Sequence, residues 1–122
     1  DDVAIFATGM MVREALDAAE LLRDKGIECH VVDMHTIKPL DTNALDKSFQ
    51  TSKLIVSVEE HSVIGGLGGA IAEYMAERGN APRLVRIGVG DTFGKLGDLR
   101  YCWEQHGLTA PQIAERIRKE LN

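Results

Sequence analysis

The sequence predicts an α/β domain of three layers, α/β/α, built on a mainly parallel sheet of strand order 2-1-3-4. Three observations lead there. Short apolar runs at residues 3–7 and 54–58 alternate with stretches whose apolar residues recur at helical spacing, as in parallel strands joined by crossover helices. Those two runs lack polar alternation, as strands buried on both faces do, whereas residues 27–33 and 84–87 mix charged with apolar side chains, as edge strands do. Setting the apolar pair at the centre gives the order 2-1-3-4. It also places a crevice at the carboxyl ends of strands 1 and 3, where the winding reverses.

Taken in order, Val3-Ala4-Ile5-Phe6-Ala7 is the first strand and Thr8 the expected N-cap of the first helix. That helix has Val12, Ala15, Leu16, Ala19 and Leu22 on one stripe, and Gly26 is expected to end it in a left-handed conformation. Residues 27–33 form the second strand. Lys38-Pro39 ends regular structure, and Asp41 caps a short helix through Ala44, Leu45 and Phe49. The third strand, 54–58, leads through Glu59-Glu60-His61 and a glycine cluster into a helix reaching Arg78. Its inner stripe is Leu67, Ile71, Tyr74 and Met75. Residues 84–87 make the fourth strand, with Arg86 marking an edge. Residues 88–97 hold four glycines and read as a shaped loop. A short helix follows at 99–106, and Thr109 with Gln112 and Pro111 opens the last one as a capping box with proline in its first turn.

Composition narrows the function classes. The 122 residues are 44% hydrophobic and 27% charged, enough for one core and one domain, 1–122. Net charge is −5 with both signs interspersed, which gives no basic footprint for nucleic acid, and no apolar run is long enough to cross a bilayer. Cys29 and Cys102 form no CxxC pair, and ordinary thiols in a cytoplasmic protein are expected. The opening Asp1-Asp2, without an initiating methionine, leads to the expectation that the chain is part of something longer.

The candidate crevice or interface residues are Thr8, Gly9, Glu59, Glu60, His61, Gly65, Gly66, Gly68 and Gly69. The glycines do not spell a dinucleotide fingerprint: from Gly66 the register runs Gly66, Gly68, then Ile71, and no P-loop lysine follows. Close packing against the same chain or another subunit is the expected use. Glu59, Glu60 and His61 have the chemistry of a general acid-base group. Because strand neighbours point to opposite sides, hydrogen bonds to loop amides or across an interface are the simpler expectation. Thr8-Gly9, at a helix start, offers amides and the positive end of a dipole to an anion, or only a cap. His30 is placed on an exposed edge and His106 at a helix end. No metal ligand set is present, since the histidines share no spacing with the cysteines. Tyr101 and Trp103 are expected to pack.

Several separated motifs together resemble a known family. Ile5-Phe6-Ala7-Thr8-Gly9, Val31-Val32-Asp33 with Lys38-Pro39-Leu40-Asp41, and Val58-Glu59-Glu60 with its glycines resemble the C-terminal domain of thiamine-diphosphate enzymes. That group includes transketolase, 1-deoxy-D-xylulose-5-phosphate synthase and the beta subunits of 2-oxoacid dehydrogenases. Asp91-Thr92-Phe93-Gly94-Lys95-Leu96-Gly97, then Gly107-Leu108-Thr109 and Ile113-Ala114-Glu115-Arg116-Ile117, are most similar to transketolase, especially the small C-terminal subunit of split transketolases.

The resemblance implies a domain whose relatives carry a fifth, antiparallel strand just before the position of Asp1. It implies a part of an enzyme transferring a two-carbon ketol unit between sugar phosphates, with subunit or interdomain packing as this part's own task. Thiamine diphosphate and magnesium belong, on this reading, to other domains. The GDG…N motif is missing here, and Gly90-Asp91 and Gly97-Asp98 lack the following glycine. No catalytic, cofactor-binding or metal-binding residue is therefore expected in this chain. The expected partners are a second copy or an N-terminal thiamine-binding subunit or domain. Leu96 departs from the family's usual serine. A stand-alone module binding a small anion, and a purely structural domain, are the alternatives.

Overall fold

The computed structural model describes residues 2–62, 66–89 and 99–122, with backbone only for 61, 62 and 99–101. Among these residues the elements are β1 (Val3–Ala7), α1 (Met11–Arg23), β2 (Cys29–Asp33), α2 (Thr42–Thr51) and β3 (Leu54–Ser62). They continue with α3 (Leu67–Ala76), β4 (Arg83–Val89), α4 (Leu99–His106) and α5 (Ala110–Leu121). Four strands form one sheet in the order β2-β1-β3-β4 with every pair parallel, as the polarity of the strands predicts. β1 is buried along its whole length, and Leu54, Ile55, Val56 and Val58 of β3 are buried beside it.

Strand alternation divides the core. Val3, Ile5 and Ala7 with Leu54, Val56 and Val58 pack under α1 and α5, where Ala15, Ala18, Leu22, Ile113 and Ile117 complete a large apolar cluster. Ala4, Phe6 and Ile55 face the other way and meet Leu45 of α2 and Leu67 and Ile71 of α3. Across this second face, the Tyr74 hydroxyl donates to Asp46 Oδ1 at 2.7 Å and ties α3 to α2.

The helix starts and stops depart from expectation in instructive ways. Thr8 is not the N-cap of α1; Met10 holds that position and makes no side-chain cap. Gly9 takes φ +56° between them, so the turn closes through main-chain bonds from Met11 N–H to Thr8 O and Val12 N–H to Gly9 O. At the other end Gly26, at φ +80°, gives the paired bonds of a Schellman motif, Gly26 N–H to Arg23 O and Ile27 N–H to Leu22 O. That turn consumes Ile27, so β2 begins at Cys29 rather than at residue 27. Asp41 caps α2 as expected, its Oδ1 accepting from Ala44 N–H at 3.1 Å. Gln112 Oε1 accepts from the main-chain N–H and the hydroxyl of Thr109, which opens α5 as the motif predicts.

β3 is the largest correction. It extends to Ser62 instead of ending at Val58, so Glu59, Glu60 and His61 lie in the strand and not in a loop. β4 keeps pace, reaching Val89 with Ser62 opposite Val89, across an irregularity between Val58 and Ser62. Gly88 thus belongs to a strand. α3 ends at Ala76, before the expected Arg78. The glycine-rich loop and Leu96 fall in residues 90–98, and Gly65 in 63–65, outside the described residues.

Candidate functional site

The carboxyl ends of β1 and β3 are adjacent. Ala7 pairs with Val58, and Thr8 N–H donates to Val58 O at 3.3 Å. Thr8-Gly9 therefore leaves β1 beside the Glu59 segment of β3, which itself runs on in the sheet to Ser62.

Glu59 and Glu60 do point to opposite faces. Glu59 is fully buried, and its two oxygens accept from Leu67 N–H and Gly68 N–H, each at 2.7 Å. Those are first-turn amides of α3, whose own N-cap residue, Gly66, has no side chain to offer. A carboxylate within β3, eight and nine residues upstream, thus caps the next helix across space. The positive end of the helix and two charge-assisted bonds account for a buried charge here. Glu60 turns the other way, and Trp103 Nε1 of α4 donates to its Oε1 at 2.8 Å. One short stretch of β3 therefore fastens a helix on each face of the sheet. The side chain of His61 lies outside the described residues.

Gly68 explains part of the glycine cluster. A Cβ there would lie 2.8 Å from Ser57 Oγ and 3.0 Å from both Cγ and Cδ of Arg86. The missing side chain lets α3 press on β3 and β4 of its own chain. Ser57 is itself fully buried, and its hydroxyl has no partner. Gly66 is the N-cap of α3 and Gly69 lies in its first turn, both half-buried.

The remaining polar candidates resolve individually. His30 is not free on an edge: its Nε2 lies 3.1 Å from Ser48 Oγ, and burial lowers its pKa from the ordinary value. Cys29 is half-buried on the opposite face, and burial first, with Asp2 and Glu28 adding, pushes its thiol up to about 11. His106 ends α4, as expected. Among the described residues no three His, Cys, Asp or Glu side chains group to hold a metal ion, and no helix is long and apolar enough to cross a membrane. Glu59, with both oxygens spent on α3, does not fit the carboxylate that a thiamine cofactor would need.

What sequence reasoning missed was the recipient of Glu59. The signal was present: the helix beginning at Leu67 has no Ser, Thr, Asp or Asn at its start, while an acidic residue ends the preceding apolar run.

Comparison with known proteins is specific. The family model of the C-terminal domain of transketolase matches residues 1–113. A Methanocaldococcus jannaschii protein named as a transketolase C-terminal section is 45% identical over 121 residues, covering 99% of this chain and 37% of its own length. A 6-deoxy-6-sulfo-D-fructose transketolase subunit of Clostridium sp. strain MSTE9 is 48% identical over 112 residues, 92% of this chain and 34% of that one. A 1-deoxy-D-xylulose-5-phosphate synthase of Chlorobium phaeovibrioides is 40% identical over 114 residues, 93% and 18% respectively. Among solved structures, a split-gene transketolase described as an inactive beta4 tetramer superposes with a TM-score of 0.89 at 42% identity, over 97% of this chain and 38% of that one. The chain spans less than two-fifths of the length of each of these relatives.

Proposed function

The chain belongs to the transketolase C-terminal domain family, and from that premise we propose that it is the non-cofactor-binding section of a transketolase-like enzyme. The complete enzyme would move a two-carbon ketol unit between sugar phosphates. This section would supply packing surface to a second copy or to a thiamine-binding section, and border the active site at the candidate crevice running from Thr8 and Gly9 to Glu59, Glu60 and His61. Thiamine diphosphate and magnesium would be held by that other section, and the assembly would work in the cytoplasm.

One observation supports the division of labour: Glu59, a fully buried carboxylate beside Thr8-Gly9 in the sheet, is already committed to the amides of Leu67 and Gly68. Similarity over nearly the whole chain to proteins named as a transketolase C-terminal section and a transketolase subunit supports the same reading. A 1-deoxy-D-xylulose-5-phosphate synthase C-terminal domain is the second reading, favoured by the relative of that name.

Calorimetric titration of thiamine diphosphate with Mg²⁺ into the chain alone is expected to give no saturable heat. Addition of a thiamine-binding transketolase section is expected to give a complex by size exclusion and ketol transfer from a ketose phosphate. Micromolar cofactor binding by the chain alone overturns the division of labour. A stable complex that condenses pyruvate with glyceraldehyde 3-phosphate, and transfers no ketol unit, selects the second reading.

A further inference from the structure

The start of α3 is closed differently from those of α2 and α5. These two draw their caps from within three residues, Asp41 accepting from Ala44 N–H and Gln112 from Thr109 N–H. α3 has glycine at its N-cap and is met by β3 instead, Glu59 Oε1 accepting from Leu67 N–H and Oε2 from Gly68 N–H, each at 2.7 Å. Consecutive first-turn amides and the positive end of a ten-residue helix are what an anion needs, and a carboxylate is held there. That carboxylate is tethered to the same chain.

A second polar atom meets the same turn. Ser57, two residues before Glu59 and on the same face of the strand, is fully buried, and its hydroxyl has no partner. It faces Gly68, where a Cβ would lie 2.8 Å from Ser57 Oγ. Buried hydroxyls are normally satisfied, so an unused one beside two amides that already hold a carboxylate leaves this pocket with a bond still to offer.

We propose that the start of α3 is a carboxylate site which the chain fills with its own Glu59, and that without this side chain it takes up a free monocarboxylate of the size of acetate. Glu59→Ala keeps Cβ and removes one methylene and the carboxylate, which are the heavy atoms of acetate. Amides on consecutive residues set one donor to each oxygen of a planar anion, a match that a spherical chloride does not make. Glu59 is fully buried, so the variant gains an internal cavity. Such cavities admit small molecules of matching shape and polarity, and local opening of the turn gives entry. In the intact chain an anion arriving beside Thr8-Gly9 finds these amides taken, and α3 offers it nothing while Glu59 is in place.

The probe is sodium acetate against sodium chloride at equal ionic strength and neutral pH. The readout is chemical denaturation of Glu59→Ala, with the intact chain as reference. Acetate at about 0.5 M is expected to raise the folded-to-unfolded ratio of Glu59→Ala about fifty-fold, for half-saturation at about 10 mM by a ligand of four heavy atoms. The intact chain is expected to respond equally to the two salts. Butyrate, too long for the cavity, and acetamide, a neutral isostere, are expected to bind about tenfold more weakly or worse. In a ¹⁵N-labelled sample of the variant, the amide signals of Leu67 and Gly68 are expected to move most. Equal gains from acetate and chloride, an equal acetate response in the intact chain, butyrate as effective as acetate, or shifts away from the start of α3 each overturn the proposal. Should Glu59→Ala be unfolded in plain buffer, recovery of its helical circular dichroism by acetate over chloride decides instead, and no recovery overturns the proposal as well. Glu59→Gln, which fills the cavity, is the second variant. It is expected to be indifferent to acetate, and a response equal to that of Glu59→Ala also overturns the proposal.

Discussion

The two faces of β3 are built on different physics. Toward α1 and α5 the strand presents Leu54, Val56 and Val58, all buried among aliphatic side chains. Toward α2 and α3 it presents Ile55, Ser57 and Glu59, so polarity increases toward the carboxyl end until a full charge sits in the interior. The first face is held by area and close packing, which tolerate exchange of one aliphatic residue for another. The second is held by named bonds and a missing Cβ, which do not. The difference has a structural consequence: the polar face is the one that fixes the start of α3 in place.

The sharpest break of this comparison is Glu59→Gln. A glutamine keeps the shape but has one acceptor oxygen and sets an NH₂ against one of the two amides of Leu67 and Gly68. The expected loss is about 2–4 kcal/mol in chemical denaturation, from two charge-assisted bonds and a donor left facing a donor. Leu54→Ile on the aliphatic face is expected to cost under about 1.5 kcal/mol. Equal losses would erase the distinction between the faces.

Gly68→Ala comes next. Its Cβ meets Ser57 Oγ at 2.8 Å and the Arg86 stem at 3.0 Å, an overpacking expected to cost about 1–3 kcal/mol. Ser57→Ala removes the nearer atom together with a buried, unpartnered hydroxyl. It is therefore expected to be neutral or stabilising alone, and to recover part of the loss in the double variant. Strict additivity of the two changes would show that the contact at Gly68 is relieved elsewhere.

Much of this was legible in the sequence, and the limits have physical causes. The sheet order followed from polarity alone, because a strand buried on both faces has no room for His30 or Arg86. The Asp41 cap, the Gly26 stop and the Thr109–Gln112 opening were readable since each is a contact within a few residues. The far end of β3 was not. A strand continues as long as its neighbour pairs with it, and the Ser62–Val89 pairing is a long-range fact that no local pattern carries. The Glu59 cap was hidden for the same reason, reaching from inside β3 to a helix that begins eight residues later. Thr8 misled because its residue type favours capping, whereas the left-handed Gly9 after it moved the helix start on to Met11.

Glu60 tests the same strand end from the aliphatic side. Trp103 is the chain's one tryptophan, and its Nε1 donates to Glu60 Oε1 at 2.8 Å. Glu60→Gln keeps an acceptor and is expected to cost about 1 kcal/mol or less. Tryptophan emission reports directly whether α4 stays docked. An unchanged midpoint with red-shifted emission would mean that α4 undocks independently of the sheet.

The smallest expected effect is a pH dependence confined to the polar face. His30 lies on β2 opposite Ser48 of α2, and burial lowers its pKa below the ordinary 6.5. The unfolded chain therefore binds the His30 proton at a higher pH than the folded chain does. Between the two values the unfolded state holds more protons, so stability rises with pH across that window. His30 contributes nothing unfavourable well above pH 6.5, and its penalty grows as pH falls through that value toward the folded pKa. A shallow decline in the denaturation midpoint on acidification from neutrality is expected, and His30→Gln is expected to flatten it while leaving the midpoint at neutral pH within experimental scatter. An identical slope in the variant would remove His30 as its source and move the pH sensitivity of this face to the carboxylates.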